Sequence, residues 1–153
     1  AIAALGGYGG ARRRFEVRGE AGGVTVVDDY AHHPSEVRAT LSAARERFGG
    51  RRIVAYFQPH TYSRTAALLE EWASAFGDAD MVLVGDIYAA RESDTLGLDA
   101  AAVAKRIEHP NVRAVGSIGQ AAAALRSLMR PGDVLLMLGA GDGNRVGEAF
   151  LEA

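Results

Sequence analysis

The stretch GVTVVDDYAHHPSEVRATLSAARERFGGRRIVAYF, residues 23–57, decides the fold. It begins and ends on short apolar runs, 23–27 and 53–57, that are too continuous for strands with one wet face. Between them Val37, Leu41, Ala44 and Phe48 recur at intervals of four, three and four, the period of a helix with one buried stripe. Pro34 stands where a first helical turn tolerates it, and Gly49 and Gly50 end the segment. Strand, helix and second buried strand in that order predict two parallel strands joined by a crossover helix.

Outward from this unit the pattern repeats. Further apolar runs at 81–84, 111–115 and 134–138 alternate with helical segments at about 63–76, 99–107 and 118–129, and a last helix follows Gly143. Ahead of the unit, residues 13–18 are separated from 23–27 by Gly19, Glu20, Ala21 and Gly22, a spacing that fits a hairpin and one antiparallel strand. The expected fold class is therefore α/β: a three-layer α/β/α, Rossmann-like arrangement around a mostly parallel six-stranded sheet with one antiparallel strand. At 153 residues and 48% apolar side chains, one domain with a substantial core is expected.

Seventeen basic residues against nineteen acidic ones leave a formal charge of −2, which argues against nucleic acid or a membrane surface as partner. The absence of cysteine excludes a disulfide framework and a thiol nucleophile, and fits a cytoplasmic location. A small molecule, or another part of the same protein, is the expected partner.

In an open parallel sheet, ligands gather beyond the carboxyl ends of the strands. Four loops there are rich in polar groups: DDYAHHPSE (28–36), QPHTYSRT (58–65), GDIYAARESD (85–94) and GAGDGN (139–144). His32, His33 and His60 lie in the first two, whereas His109 lies outside them and receives no role. Asp28, Asp29, His32 and His33 are types that donate to a divalent ion, but a histidine before a helix is as well explained as a cap. One of the two aspartates could satisfy backbone donors near the helix start while the other reaches a ribose hydroxyl, and spacing does not say which. Arg64 offers a planar fork for a carboxylate or phosphate, with His60 and Tyr62 nearby in sequence. GAGDGN is either part of a phosphate-binding turn or a bend that needs glycine. No phosphate-cradling G-x-x-x-x-G-K-[ST] is present and Lys105 is the sole lysine, so any ATP chemistry is expected to be shared with another domain.

Taken together, YGGARRRFE (8–16), VVDDYAHHPSEVRATL (26–41), FQPHTYSRT (57–65), DIYAARES (86–93) and PGDVLLMLGAGD (131–142) resemble the last domain of the Mur ligase family of peptidoglycan synthesis, in the family's order and spacing over essentially the whole chain. The resemblance is to the branch that joins L-alanine to UDP-N-acetylmuramate. It implies a three-domain cytoplasmic enzyme in which ATP, with magnesium, phosphorylates the muramoyl carboxylate and the amine of L-alanine attacks the acyl phosphate. ATP and UDP-N-acetylmuramate would be held mainly by the other two domains, with neither cofactor nor metal bound to this part alone. Residues 1–14 would then be the end of the central ATPase domain, and 15–153 the amino-acid-binding domain. By motif position, Asp29 resembles the acid that contacts the ATP ribose and Arg14 the arginine that reaches the phosphates. Tyr30, His32, His60 and Arg64 resemble the residues around the incoming amino acid, and Thr61 stands where many members carry arginine. The other readings are a ligase that recycles murein tripeptide, an Asp/His metal-dependent hydrolase and a free-standing binding module.

Overall fold

The computed structural model describes residues 13–153. Six strands form one sheet: β1 (Glu16–Ala21), β2 (Val24–Asp29), β3 (Ile53–Phe57), β4 (Met81–Gly85), β5 (Val112–Gly116) and β6 (Val134–Leu138). Their order across the sheet is β1-β2-β6-β3-β4-β5, and every pairing is parallel except that of β1 with β2. This is the expected architecture.

The central strands β3, β4 and β6 are buried along their whole length, as their unbroken apolar sequences require. Alternate residues feed two cores. Ile53, Ala55, Phe57, Val82, Val84, Val134, Leu136 and Leu138 face one side. There they meet Val37, Leu41 and Ala44 of helix α1 (Pro34–Phe48) and Val103 and Ala104 of α4 (Ala100–Arg106). Val54, Tyr56, Leu83, Leu135 and Met137 face the other, under α5 (Ile118–Leu128) and α6 (Asn144–Glu152).

Two sequence expectations shift. The segment expected as one helix over 63–76 is two short pieces, α2 (Tyr62–Ala67) and α3 (Leu69–Trp72), separated at Leu68, which leaves helical geometry at φ −107°, ψ 12°. Trp72 and Phe76 both press on Phe57, with ring centroids 4.5 and 5.2 Å away, so aromatic packing on the sheet overrides a continuous helical ladder. The hairpin turn falls at Gly22 and Gly23 rather than over 19–22, because a two-residue turn matching strand twist needs positive φ at both positions, here 57° and 79°. β1 consequently starts three residues later than expected and carries a bulge between Val17 and Gly19.

The expectation that residues 1–14 end a preceding domain lies outside the described residues, apart from Arg13 and Arg14. Among the described residues no helix is long and apolar enough to cross a membrane.

Candidate functional site at the carboxyl rim of the sheet

The topology sets the site. The chain passes from β2 to β3 and outward to β4 and β5, then returns to place β6 between β2 and β3. The carboxyl ends of β2, β6, β3 and β4 are in register, with Asp29 beside Leu138, Leu138 beside Phe57 and Phe57 beside Val84. All four polar loops therefore leave the sheet along one rim at the switch in strand order, where open α/β sheets bind ligands. Because β1 is antiparallel, its beginning lies at this same rim, with Glu16 opposite Asp28. Arg13, Arg14 and Phe15 are delivered there as well.

Around the rim the aromatic rings form a connected series. Tyr30 meets His32 edge-on at 5.3 Å, His32 lies 5.9 Å from His60, and His60 stacks on Tyr88 at 5.3 Å. The backbone fixes the last pair: Thr61 donates its amide to the Tyr88 carbonyl at 2.7 Å, and Tyr88 donates to that of Pro59 at 2.9 Å. Thr61, at φ 66°, caps α2 by accepting the amide of Arg64 at 3.3 Å on its hydroxyl. Arg64 thus lies in the first turn of the helix, exposed. Burial first, then electrostatic repulsion from the neighbouring His32 and Arg64, pushes the His60 imidazole below its ordinary range. Its Nδ1 is buried and has no hydrogen-bond partner among the described residues. Glu92, from the loop after β4, receives both the amide and the hydroxyl of Ser63, and those bonds pull its carboxyl down.

On the α1 side of β2 lies a cleft of about 320 Å³ lined by Arg14, Phe15, Asp29, Tyr30, Glu36 and Thr40 among others. Asp29 accepts the amides of Phe15 and Ala31, each at 2.8 Å, and the Thr40 hydroxyl at 3.3 Å. The neighbouring Asp28 points to the opposite face, is 2% exposed and pairs with Arg13 at 2.9 Å. Asp29 thus serves the backbone donors and also fronts the cleft, while Asp28 is internal.

The four candidate metal donors do not converge. Asp28 is committed to Arg13, and His33 caps α1, accepting the Ser35 amide on Nδ1 while Glu36 reciprocates to its backbone. His32 Nδ1 lies 3.0 Å from the Tyr30 carbonyl. Among the described residues no three His, Asp or Glu side chains are grouped so as to hold an ion jointly. The glycines of 139–144 are explained by packing. Gly139 adopts φ 152°, and a Cβ there would lie 3.0 Å from the Gln58 carbonyl oxygen. Gln58 in turn bonds Asp142 at 2.8 Å and the Gly143 amide at 2.9 Å, tying this loop to the one after β3.

Of the candidate residues, Tyr30, His32 and His60 are in one series, Arg64 adjoins it, and Arg14 and Asp29 share the cleft that Tyr30 also borders. Arg13, Tyr88 and Glu92 were not singled out. Arg13 was hidden within a run of three arginines, and the other two sat in a motif whose contacts depend on the loop's path.

A Rossmann-like sheet with convergent polar loops at its switch point defines a ligand-binding α/β domain. Residues 13–141 match the family described as Mur ligase, glutamate ligase domain, and the chain belongs to that family. It is 58% identical over 149 residues to the UDP-N-acetylmuramate–L-alanine ligase of Roseiflexus sp. strain RS-1, covering 97% of this chain and 32% of that protein. The chain thus spans about a third of the length of the curated relatives it matches. Among solved structures it superposes on the UDP-N-acetylmuramate-alanine ligase MurC of Thermotoga maritima with a TM-score of 0.75 at 25% identity, covering 99% of this chain and 35% of that one. The MurF ligase of Thermotoga maritima, solved in complex with ADP, shares the fold at a TM-score of 0.63 and 24% identity, covering 99% of this chain and 33% of that one.

Proposed function

We propose that this domain is the amino-acid-binding part of an ATP-dependent cytoplasmic ligase that joins L-alanine to UDP-N-acetylmuramate, with residues 15–153 forming the domain and 1–14 ending the one before it. The observation that carries the reading is the series of Tyr30, His32 and His60 at a rim that also borders the Arg14–Asp29 cleft, with Arg64 near enough for its charge to bear on His60. The 58% identity with an alanine ligase supports the choice of amino acid.

In this reading Arg64 takes the amino acid's carboxylate, and His60 presents an uncharged nitrogen toward the ammonium end rather than repelling it. Arg14 and Asp29 meet the nucleotide, whose phosphates and magnesium ion, like the sugar nucleotide, are held mainly by the preceding domains. The domain's physical task is to bring the amine against an activated carboxyl and to exclude water as the domains close. Nothing in it requires this domain to react chemically itself.

Arg64→Ala in the full-length ligase tests the assignment. The KM for L-alanine is expected to rise by about tenfold or more, the worth of a lost charge-assisted fork, with the KM for ATP little changed. An unchanged alanine dependence removes Arg64 from the site.

A further inference from the structure

Arg13 closes a ring. Its guanidinium carbon lies 5.4 Å above the Tyr30 ring, Tyr30 meets His32, His32 adjoins His60, and His60 stacks on Tyr88. Tyr88 packs on Gly141 so closely that a Cβ there would lie 2.6 Å from its Cγ. The Gly141 carbonyl accepts from Arg13 Nη1 at 2.9 Å, which completes the circuit. Five separate segments of the chain contribute to it, and Arg13 belongs to the segment through which the polypeptide enters the domain.

All three guanidinium nitrogens donate at this position. Nε donates to Asp28 at 2.9 Å and Nη2 to the Gly139 carbonyl at 2.9 Å, while the Arg13 carbonyl receives the Tyr30 amide. One planar group thus holds three acceptors on two neighbouring strand ends and covers an aromatic face, a set of directions that an ammonium on a flexible stem cannot reproduce. Asp28 supplies the counter-charge from a site 2% exposed, so the tie is anchored within the fold rather than on its surface.

We propose that Arg13 is a positioning residue that fixes the Tyr30–His32–His60–Tyr88 rim in the spacing that receives the incoming amino acid, and links that spacing to the segment entering the domain. The proposal rests on the ligase reading above. Arg13 lies outside the Arg14–Asp29 cleft, so the nucleotide side should be largely indifferent to its loss.

The experiment uses the full-length ligase and measures ADP release against L-alanine and ATP separately. Arg13→Lys is the principal variant, because it keeps the charge beside Asp28 and loses the fork; Arg13→Ala accompanies it. Both should raise the KM for L-alanine by about tenfold while the KM for ATP stays within about twofold, a split that general loosening of the structure would not produce. Gly141→Ala, whose Cβ would meet both Tyr88 Cγ and Gln58 Oε1 at 2.6 Å and so displaces Tyr88 from the opposite side, should reproduce the split and keeps the test open if Arg13→Ala does not fold. An alanine KM within about twofold of wild type in Arg13→Lys, or both KM values rising in parallel, overturns the proposal. Absence of alanine-dependent ADP release from the wild-type protein instead overturns the ligase reading on which it rests.

Discussion

Asp133 shows how a single side chain holds the end of the molecule away from the site. It is 4% exposed, accepts Arg52 Nε at 3.1 Å and Nη2 at 2.7 Å, and receives the Arg130 amide at 2.8 Å, thereby shaping the turn that launches β6. Burial alone would raise its pKa; the Arg52 bonds and the Arg130 amide outweigh it and hold the carboxyl below its ordinary 3.8. A depressed carboxyl stabilises the fold above its unfolded-state value and loses that contribution as pH falls through the folded one. Asp133→Ala should therefore cost about 2–4 kcal/mol at pH 7 in urea unfolding, since it leaves Arg52 partly buried without its partner. The gap between variant and wild type should shrink below pH 4, and a gap constant with pH would contradict the ion-pair account.

At the scale of elements, the loop after β6 behaves as a packed part of the sheet's rim. Gly139 needs φ 152° and has no space for a methyl group against the Gln58 backbone. Gly139→Ala is thus strained in both conformation and contact, and should destabilise the fold by about 2–3 kcal/mol, read as a lowered midpoint in urea. A midpoint unchanged from wild type would mean that this loop relaxes freely. Helix α1 was readable because its start and period are local: His33, Pro34 and Glu36 build the cap, and Val37, Leu41 and Ala44 the buried stripe. The break at Leu68 was not readable, because it answers to Phe57, which is brought under Trp72 and Phe76 only by the assembled sheet.

For the whole molecule the central fact is that β6, near the end of the chain, occupies the middle of the sheet. Leu136, with no exposed surface, packs on strands from both sides. Leu136→Ala should cost about 2–5 kcal/mol, whereas Val112→Ala on the half-covered edge strand β5 should cost about 1 kcal/mol. Equal losses in equilibrium unfolding would refute that ordering. The sequence by itself determined the layered α/β class, the buried strands, most helices and the loops that carry polar chemistry, since hydrophobic period and turn residues are properties of neighbours along the chain. Only the tertiary structure decided that β6 separates β2 from β3, that Asp28 turns inward while Asp29 fronts a cleft, and that Arg13 closes the ring from Tyr30 to Tyr88. Those outcomes depend on which segments meet in space, among them β2 with β6 and Arg13 with Gly139 and Gly141, pairs more than a hundred positions apart.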